Sequence, residues 1–254
     1  IENELPFLAQ TFDQILIYPT DHFAKDKAHN RNLPPNVQII NFNMQATVQK
    51  DNYSGIWFPL QMTLTEILRS ANVIREIKRF RYLLGIARHQ WFMARLFCSY
   101  IQTNFKNSSV YLYSYWASNS CVMLGLLKTK KLITNFVTRA HSIDLYHYDW
   151  GLAKSLKVPP FEHLKFETAA RILPVSRHGE TFLCTKFPQW KEKISSAYLG
   201  VAGRGINPGL PERFTIVSCS NLSNNKRLLE MAKALKKLAF SVQWVHFCHG
   251  EQRA

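Results

Sequence analysis

The chain has 254 residues, of which 46% are hydrophobic and 13% aromatic, and its formal net charge is +15. This composition excludes an intrinsically disordered protein, and no apolar run approaches the ~20 residues that a membrane-spanning helix needs. The excess of cations favours an anionic partner: a nucleic acid, a lipid headgroup or a phosphorylated small molecule. The five cysteines are widely spaced and never form a Cys-x-x-Cys pair, which indicates a reducing cytosol and argues against a disulfide framework or a zinc site.

The first 100 residues are predicted to contain two short strands and a long basic helical region. A helical stripe precedes a strand at residues 14–19, and a second strand is predicted at residues 37–42, after a polar loop. From residue 64 to residue 100 the pattern predicts two helices with a break near Gly85, in which arginines and lysines alternate with apolar residues. This basic amphipathic surface either lies against anionic lipid or belongs to a core-facing helix pair with solvated arginines.

Strands and helices then alternate over the next 100 residues. Strands are predicted at residues 110–116, 132–137, 171–176 and 194–201, and helices at residues 121–127 and 180–187. Polar residues follow two of these strands: Arg139, His141 and Asp144 after the second, and Ser176 after the third. Open parallel sheets bind their ligands beyond the carboxyl ends of the strands, so these side chains are candidates for a binding site.

A Gly/Pro-rich linker at residues 203–211 predicts a boundary between a domain of residues 1–203 and a domain of residues 204–254. After the linker, the pattern predicts a strand, a polar loop, a helix and a second strand at residues 240–244, which together form a βαβ unit. With Ser223 or Asn224 as the N-cap, Lys226 and Arg227 fall in the first turn of this helix. Cations at that place either bind phosphate or are solvated surface residues.

Several common catalytic motifs are absent from the sequence. There is no Gly-x-Gly-x-x-Gly in the correct context, no Walker A sequence, no Gly-x-Ser-x-Gly and no His-Glu-x-x-His. The absence of Asp-x-Asp removes the usual metal–diphosphate clamp of metal-dependent sugar transferases. His246 and His249 form only a weak His-x-x-His pattern, so no metal site is predicted.

Several short motifs occur in an order that resembles glycosyltransferase family 4 (group 1), in the bacterial exopolysaccharide, capsule and colanic-acid branch. The motifs are Tyr113-Ser114-Tyr115-Trp116, Arg139-Ala140-His141 with Asp144-Leu145-Tyr146, Pro174-Val175-Ser176-x-x-Gly179, Leu199-Gly200-Val201, and Val217-Ser218-Cys219-Ser220-x-Leu222 with Lys226-Arg227. The resemblance implies a GT-B fold, in which two Rossmann-like domains with parallel sheets face each other across a cleft.

The same resemblance implies an activity. A family member moves a sugar from a nucleotide-sugar donor to a growing surface glycan or a lipid-linked acceptor, with retention at the anomeric carbon. It needs no metal and no cofactor besides the donor substrate. The donor binds mainly to the second domain and the acceptor to the first. In place of a metal, fixed cations and N–H groups at helix ends stabilise the departing nucleoside diphosphate.

The resemblance also assigns roles to single residues. His141 matches the histidine that reaches the transferred sugar, and Arg139 and Asp144 flank it. Lys226 matches the basic residue on the donor diphosphate. A family Gly-Arg-Leu pattern corresponds to Ser220-Asn221-Leu222, where Asn221 offers only hydrogen bonds, so that Arg227 is expected to supply the missing charge. Ser176 either binds the donor or only caps a helix.

We expect the chain to be a fragment that is truncated at both ends. No strand precedes its first helix, and the resemblance places a glycine-rich loop before Ile1 and a pair of donor-binding glutamates after Ala254. The 254-residue polypeptide is therefore expected to be inactive on its own, and the full-length product to transfer sugar. It is expected in the cytoplasm, peripheral at the inner face of the membrane through residues 64–100, without a nucleic-acid partner. Two alternatives stay open: a basic α/β module that binds nucleic acid, and a non-catalytic GT-B relative.

Overall fold

The structure, a computed structural model, describes residues 3–19, 33–40, 55–106, 108–146, 160–201, 203, 205, 209, 212–222 and 226–248. The chain is an α/β protein with several short parallel sheets, as its sequence predicts. It divides into two compact units, Ile1–Val201 and Ala202–Ala254. Within the described ranges, no helix is both long and apolar enough to cross a membrane.

Helices and strands alternate through most of the first unit. In chain order they are α1 (Leu5–Thr11), β1 (Ile15–Ile17), β2 (Val37–Ile39), α2 (Trp57–Arg69), α3 (Val73–Lys78), α4 (Phe80–Asn104), β3 (Leu112–Ser114), α5 (Asn119–Thr129), β4 (Phe136–Ala140), α6 (Ser142–Leu145), α7 (Glu162–Thr168), β5 (Arg171–Pro174), α8 (Arg177–Lys186) and a 3₁₀ helix (Pro188–Lys193). Strands β1 and β2 form one parallel pair, and β3, β4 and β5 form a parallel sheet with β4 in the centre.

Helix α5 is the centre of the first unit. Each of its residues from Cys121 to Leu127 is buried, so the helix is apolar on all sides, as expected for a helix surrounded by other elements. One side packs in a cluster that includes Phe136 of β4 and Ile172 of β5, and another in a cluster with α2, α4 and α7. The three-stranded sheet is therefore held against a buried helix.

The predicted helix break near Gly85 is wrong, because α4 runs without interruption through that residue. The chain instead breaks at residues 70–72, where Asn72 caps α3 by accepting a hydrogen bond from the Arg75 N–H, and again at Arg79. Glycine costs a helix only about 1 kcal/mol relative to alanine. Packing of α4 against α2 and α5 outweighs that cost.

Two predicted strands of the first unit differ from the observed ones. Strand β4 begins at Phe136 instead of residue 132, because the chain leaves α5 through Lys131 in a left-handed conformation (φ 58°) and the Leu132 N–H bonds back to the Leu127 carbonyl. The strand predicted at residues 194–201 is reduced to a single parallel bridge between Ile194 and Ile172. Beyond it, the Ala197 N–H donates to the Pro174 carbonyl.

The second unit contains the predicted strand–helix–strand order. Its elements are β6 (Thr215–Cys219), α9 (Leu228–Leu235) and β7 (Gln243–Phe247), and the two strands pair in parallel. The predicted start of the helix is wrong: α9 begins at Leu228, and Arg227 lies before it with a left-handed backbone (φ 51°). Lys226 and Arg227 therefore precede the first turn, and the predicted caps Ser223 and Asn224 lie outside the described residues.

Gly125 and Gly85 both lie inside helices, but only Gly125 has close neighbours. A Cβ atom added at Gly125 of α5 would lie 3.1 Å from both Leu164 Cγ and Thr168 Oγ1, so this glycine lets α7 approach α5 closely. A Cβ added at Gly85 of α4 would meet nothing within 4 Å. The two positions are a matched pair, because both have ordinary helical backbone and differ only in the space around them.

We predict opposite effects of side chains at the two glycines. Gly85→Ala should raise the free energy of unfolding by about 0.5–1 kcal/mol, since it removes the conformational cost of glycine without a clash. Gly125→Leu should lower it by about 1–3 kcal/mol through overpacking, whereas Gly85→Leu should not. Urea denaturation followed by circular dichroism measures each value, and equal losses for the two leucine variants would contradict the packing at Gly125.

Candidate active site

Three loops meet at the carboxyl end of the sheet formed by β3, β4 and β5. Because the strands are parallel, their carboxyl ends lie at the same edge. Tyr115 and Trp116 follow β3, His141 follows β4, and Ser176 follows β5. The structure thus brings His141 and Ser176, predicted as site residues from different parts of the chain, to one edge of one sheet.

The His141 imidazole lies against two aromatic rings. It stacks on Trp116, with 3.9 Å between ring centroids and 28° between ring planes, and Tyr115 lies 5.1 Å away. His141 is only 7% exposed, whereas Trp116 is 42% exposed. The indole therefore shields the imidazole and itself presents a surface to solvent.

The hydrogen bonds of His141 determine its tautomer. Nε2 lies 3.0 Å from the Tyr115 carbonyl oxygen, which can only accept, so Nε2 carries the proton. In the neutral ring Nδ1 is then an acceptor, and in the capping box at the start of α6 it faces the backbone N–H of Asp144. Burial lowers the pKa of His141 below its ordinary value, although the nearby Asp144 carboxylate opposes this change. The ring is accordingly a neutral acceptor near pH 7.

Asp144 fixes the backbone on which His141 is mounted. Its Oδ2 accepts hydrogen bonds from the His141 N–H at 2.9 Å and from the Ala117 N–H at 3.3 Å. The carboxyl group is almost fully buried, and burial raises its pKa, opposed by these hydrogen bonds and by the Lys165 ammonium. Lys165 is itself fully buried and donates to the Ala117 carbonyl at 2.7 Å. Asp144 therefore acts on His141 by positioning it.

Arg139 is engaged by three separate parts of the first unit. Its guanidinium forms an ion pair with Glu4 at 2.5 Å and donates to the Tyr113 hydroxyl at 2.8 Å and to the Ala197 carbonyl at 2.6 Å. Burial raises the pKa of the Tyr113 phenol to about 12, so the hydroxyl stays protonated and donates to Glu4 at 3.3 Å. These contacts within the first unit are enough to explain why Arg139 is buried, without a ligand.

Ser176 caps helix α8. Its Oγ accepts a hydrogen bond from the Gly179 N–H at 3.1 Å, which corresponds to the helix-cap interpretation of this residue. A Cβ atom at Gly179 would lie 3.1 Å from Leu145 Cδ1 and from Pro174 Cβ, so the glycine allows α8 to pack closely on α6 and β5.

Sequence reasoning assigned no role to three aromatic residues at this edge, Trp116, Tyr146 and His178, although Trp116 and Tyr146 belong to the motifs named above. Trp116 covers His141, and the Tyr146 hydroxyl lies 2.6 Å from His178 Nδ1, with the two rings 5.2 Å apart. The signal that could have found them is the occurrence of large aromatic or imidazole side chains directly after the strands of a parallel sheet.

The second unit places its predicted donor-binding residues after β6. The Ser220 N–H donates to the Phe247 carbonyl at 3.1 Å and its Oγ to the Asn221 carbonyl at 3.3 Å, so Ser220 continues the pairing of β6 with β7. Asn221, Lys226 and Arg227 are exposed. Within the described ranges no three His, Cys, Asp or Glu residues are grouped so that they could hold a metal ion, and His249 lies outside these ranges.

We predict that the Asp144 hydrogen bonds stabilise the first unit. Asp144→Ala leaves the buried N–H groups of His141 and Ala117 without an acceptor and should lower the free energy of unfolding by about 2–4 kcal/mol. Asp144→Asn keeps one oxygen that can accept both hydrogen bonds and should cost much less. Chemical denaturation of both variants is the measurement, and equal losses would show that the charge of Asp144 matters and its hydrogen bonds do not.

No protein-family model matches the chain, and no curated protein matches it. The resemblance to glycosyltransferase family 4 therefore rests on the residues and motifs named above, and the family assignment is a proposal.

Proposed function

We propose that this chain belongs to a retaining, metal-independent glycosyltransferase of the GT-B type. The enzyme moves a sugar from a nucleotide-sugar donor to a growing surface glycan or a lipid-linked acceptor, in the cytoplasm at the inner face of the membrane. The observation that carries the proposal is the stacking of His141, which follows β4, on Trp116, which follows β3. Parallel α/β sheets bind ligands at that edge.

The chemistry of the His141–Trp116 pair suits a sugar. An exposed indole face packs well against the C–H groups of a pyranose ring, because both surfaces are flat and weakly polar. Beside it, Nδ1 of the neutral His141 ring is an acceptor that a sugar hydroxyl would take over from the Asp144 N–H, which also bonds to the His141 carbonyl. Because burial lowers the pKa of His141, its ring stays neutral at pH 7 and Nδ1 stays an acceptor.

The cations of the second unit suit the donor diphosphate. Lys226 and Arg227 are exposed and lie between β6 and α9. Charge-assisted hydrogen bonds from such side chains stabilise a nucleoside diphosphate as it departs and gains negative charge. Asn221 adds hydrogen bonds without charge. In this proposal the donor binds to the second unit and the acceptor to the first.

We predict that sugar transfer depends on His141. His141→Ala should lower kcat/KM by about 10²–10⁴, measured as transfer of radiolabelled sugar from a panel of nucleotide-sugars by the protein. Because burial lowers the pKa of His141 below that of a free imidazole, wild-type activity should fall on acidification at a lower pH than that at which an exposed histidine titrates, as the ring becomes protonated. The matched control is His89→Ala, which replaces an exposed histidine of α4. Full activity of His141→Ala would favour a non-catalytic relative.

We predict that nucleoside diphosphates bind through Lys226 and Arg227. Replacing both by alanine should weaken the binding of UDP or GDP about tenfold or more, since hydrogen bonds to charged groups each contribute about 1.5–3 kcal/mol. Lys236→Ala with Lys237→Ala removes the same charge after the end of α9 and should leave the affinity unchanged. Isothermal titration measures both variants. Strongly salt-dependent binding of DNA or RNA, with no response to nucleoside diphosphates, would instead support the nucleic-acid alternative.

A further inference from the structure

Helices α2 and α3 each expose large apolar side chains, which we together call the α2–α3 apolar face. It consists of Trp57, Leu64 and Leu68 of α2 and Ile74 and Ile77 of α3. Trp57 is 79% exposed, Leu68 76% and Ile74 72%. On α2 the spacing of seven and then four residues places the side chains on one side of the helix, and the spacing of three on α3 does the same. The two helices are joined by only three residues.

The α2–α3 apolar face is distinct from the face by which α2 enters the core. Phe58 and Ile67 of α2 are buried in the cluster formed with α4, α5 and α7. Helix α2 thus buries one apolar side and exposes another. Folding of the first unit accounts for the buried side, whereas the exposed side has no structural purpose within the described residues.

No acidic residue of α2, α3 or α4 is exposed. The only acidic residues between residues 55 and 104 are Glu66 and Glu76, and both are buried. Glu66 accepts hydrogen bonds from the backbone N–H groups of His163 and Leu164, at the start of α7. Glu76 forms an ion pair with Arg79 at 2.9 Å and one with Arg75 at 2.7 Å. Neither carboxylate projects negative charge from the face.

Cations remain exposed beside the α2–α3 apolar face. Lys78 ends α3, Arg81 lies in the first turn of α4, and Arg88 follows two turns later; all three are exposed. The surface therefore combines a tryptophan, branched aliphatic side chains and positive charge. The exposed acid next to it, Glu167 of α7, is paired with Arg69 at the end of α2. A nucleic acid would match the charge but would gain nothing from Leu68 or Ile74.

We propose that the α2–α3 apolar face docks the protein on an anionic phospholipid bilayer. Short amphipathic helices lie in the plane of a membrane with their apolar side chains among the acyl chains, and tryptophan prefers the headgroup level. Lysines and arginines next to them are attracted by anionic headgroups. Trp57, Leu68 and Ile74 are the anchors, and Lys78 and Arg81 supply the electrostatic attraction. The inference does not depend on sugar transfer, since vesicle binding is measured without any substrate.

Co-sedimentation with vesicles tests the anchors. The wild-type chain should bind vesicles that contain about one third phosphatidylglycerol in phosphatidylcholine and bind pure phosphatidylcholine much more weakly. The triple variant Trp57→Ser, Leu68→Ser, Ile74→Ser should bind the anionic vesicles at least about tenfold more weakly. The control Phe7→Ser, Tyr111→Ser, Tyr198→Ser removes equally exposed apolar side chains elsewhere in the first unit and should bind like the wild type. Equal loss in both triple variants would overturn the proposal.

A charge-matched pair separates local attraction from the overall charge of +15. Lys78→Gln with Arg81→Gln should weaken binding to anionic vesicles several-fold, whereas Lys236→Gln with Lys237→Gln, which removes the same charge from the second unit, should have little effect. Equal effects of the two pairs would mean that only net charge attracts the protein to the vesicle, and would refute docking through this face.

Fluorescence reports insertion directly. The tryptophan emission should shift to shorter wavelength on anionic vesicles and be quenched by brominated lipid. Trp57→Phe should remove most of this change although five other tryptophans remain.

Light scattering tests whether a second copy of the chain, instead of a membrane, covers the α2–α3 apolar face. If the triple serine variant converts a dimer into a monomer and still binds vesicles like the wild type, the face is a contact between copies and the proposal fails.

Discussion

The carboxyl end of the three-stranded sheet depends on one buried polar network. Lys165, which is fully buried in α7, donates a hydrogen bond to the Ala117 carbonyl. The Ala117 N–H in turn donates to the Asp144 carboxylate, which also accepts a hydrogen bond from the His141 N–H. The loop after β3, the loop after β4 and helix α7 are thereby tied together. Buried polar groups are costly unless every member is paired, so this network fixes one arrangement of the three elements.

This constraint explains how a site on loops can be rigid. His141 has its backbone held by Asp144 and its ring held by the Tyr115 carbonyl and the Trp116 indole. Little conformational entropy remains to be lost when a ligand reaches Nδ1, which is the advantage of a preorganised site. Helices α2 and α3, which carry the proposed membrane contact, contribute no residue to this network.

The parts of the structure that the sequence predicts correctly are local in the chain. Strand periodicity followed by polar residues places His141 and Asp144 at a sheet edge, and a serine three residues before Gly179 predicts a helix cap. The errors have physical causes outside the local pattern. Tertiary packing carries α4 through Gly85, and the partner of Arg139 is Glu4, 139 − 4 = 135 residues away. No short-range pattern of residue types contains information about such a pair.

The contacts of Arg139 also bear on the order in which the first unit folds. The guanidinium joins Glu4 near the start of the chain, Tyr113 in β3, and Ala197 near the end of the unit. The chain segments between these residues are long, and long segments close slowly, because their conformational entropy is lost before the contact that closes them forms. During synthesis Glu4 and Tyr113 emerge before the arginine, whereas Ala197 emerges 58 residues after it, so one side of the guanidinium keeps its water until then. The strand at the centre of the sheet therefore completes its burial only after most of the unit has been made.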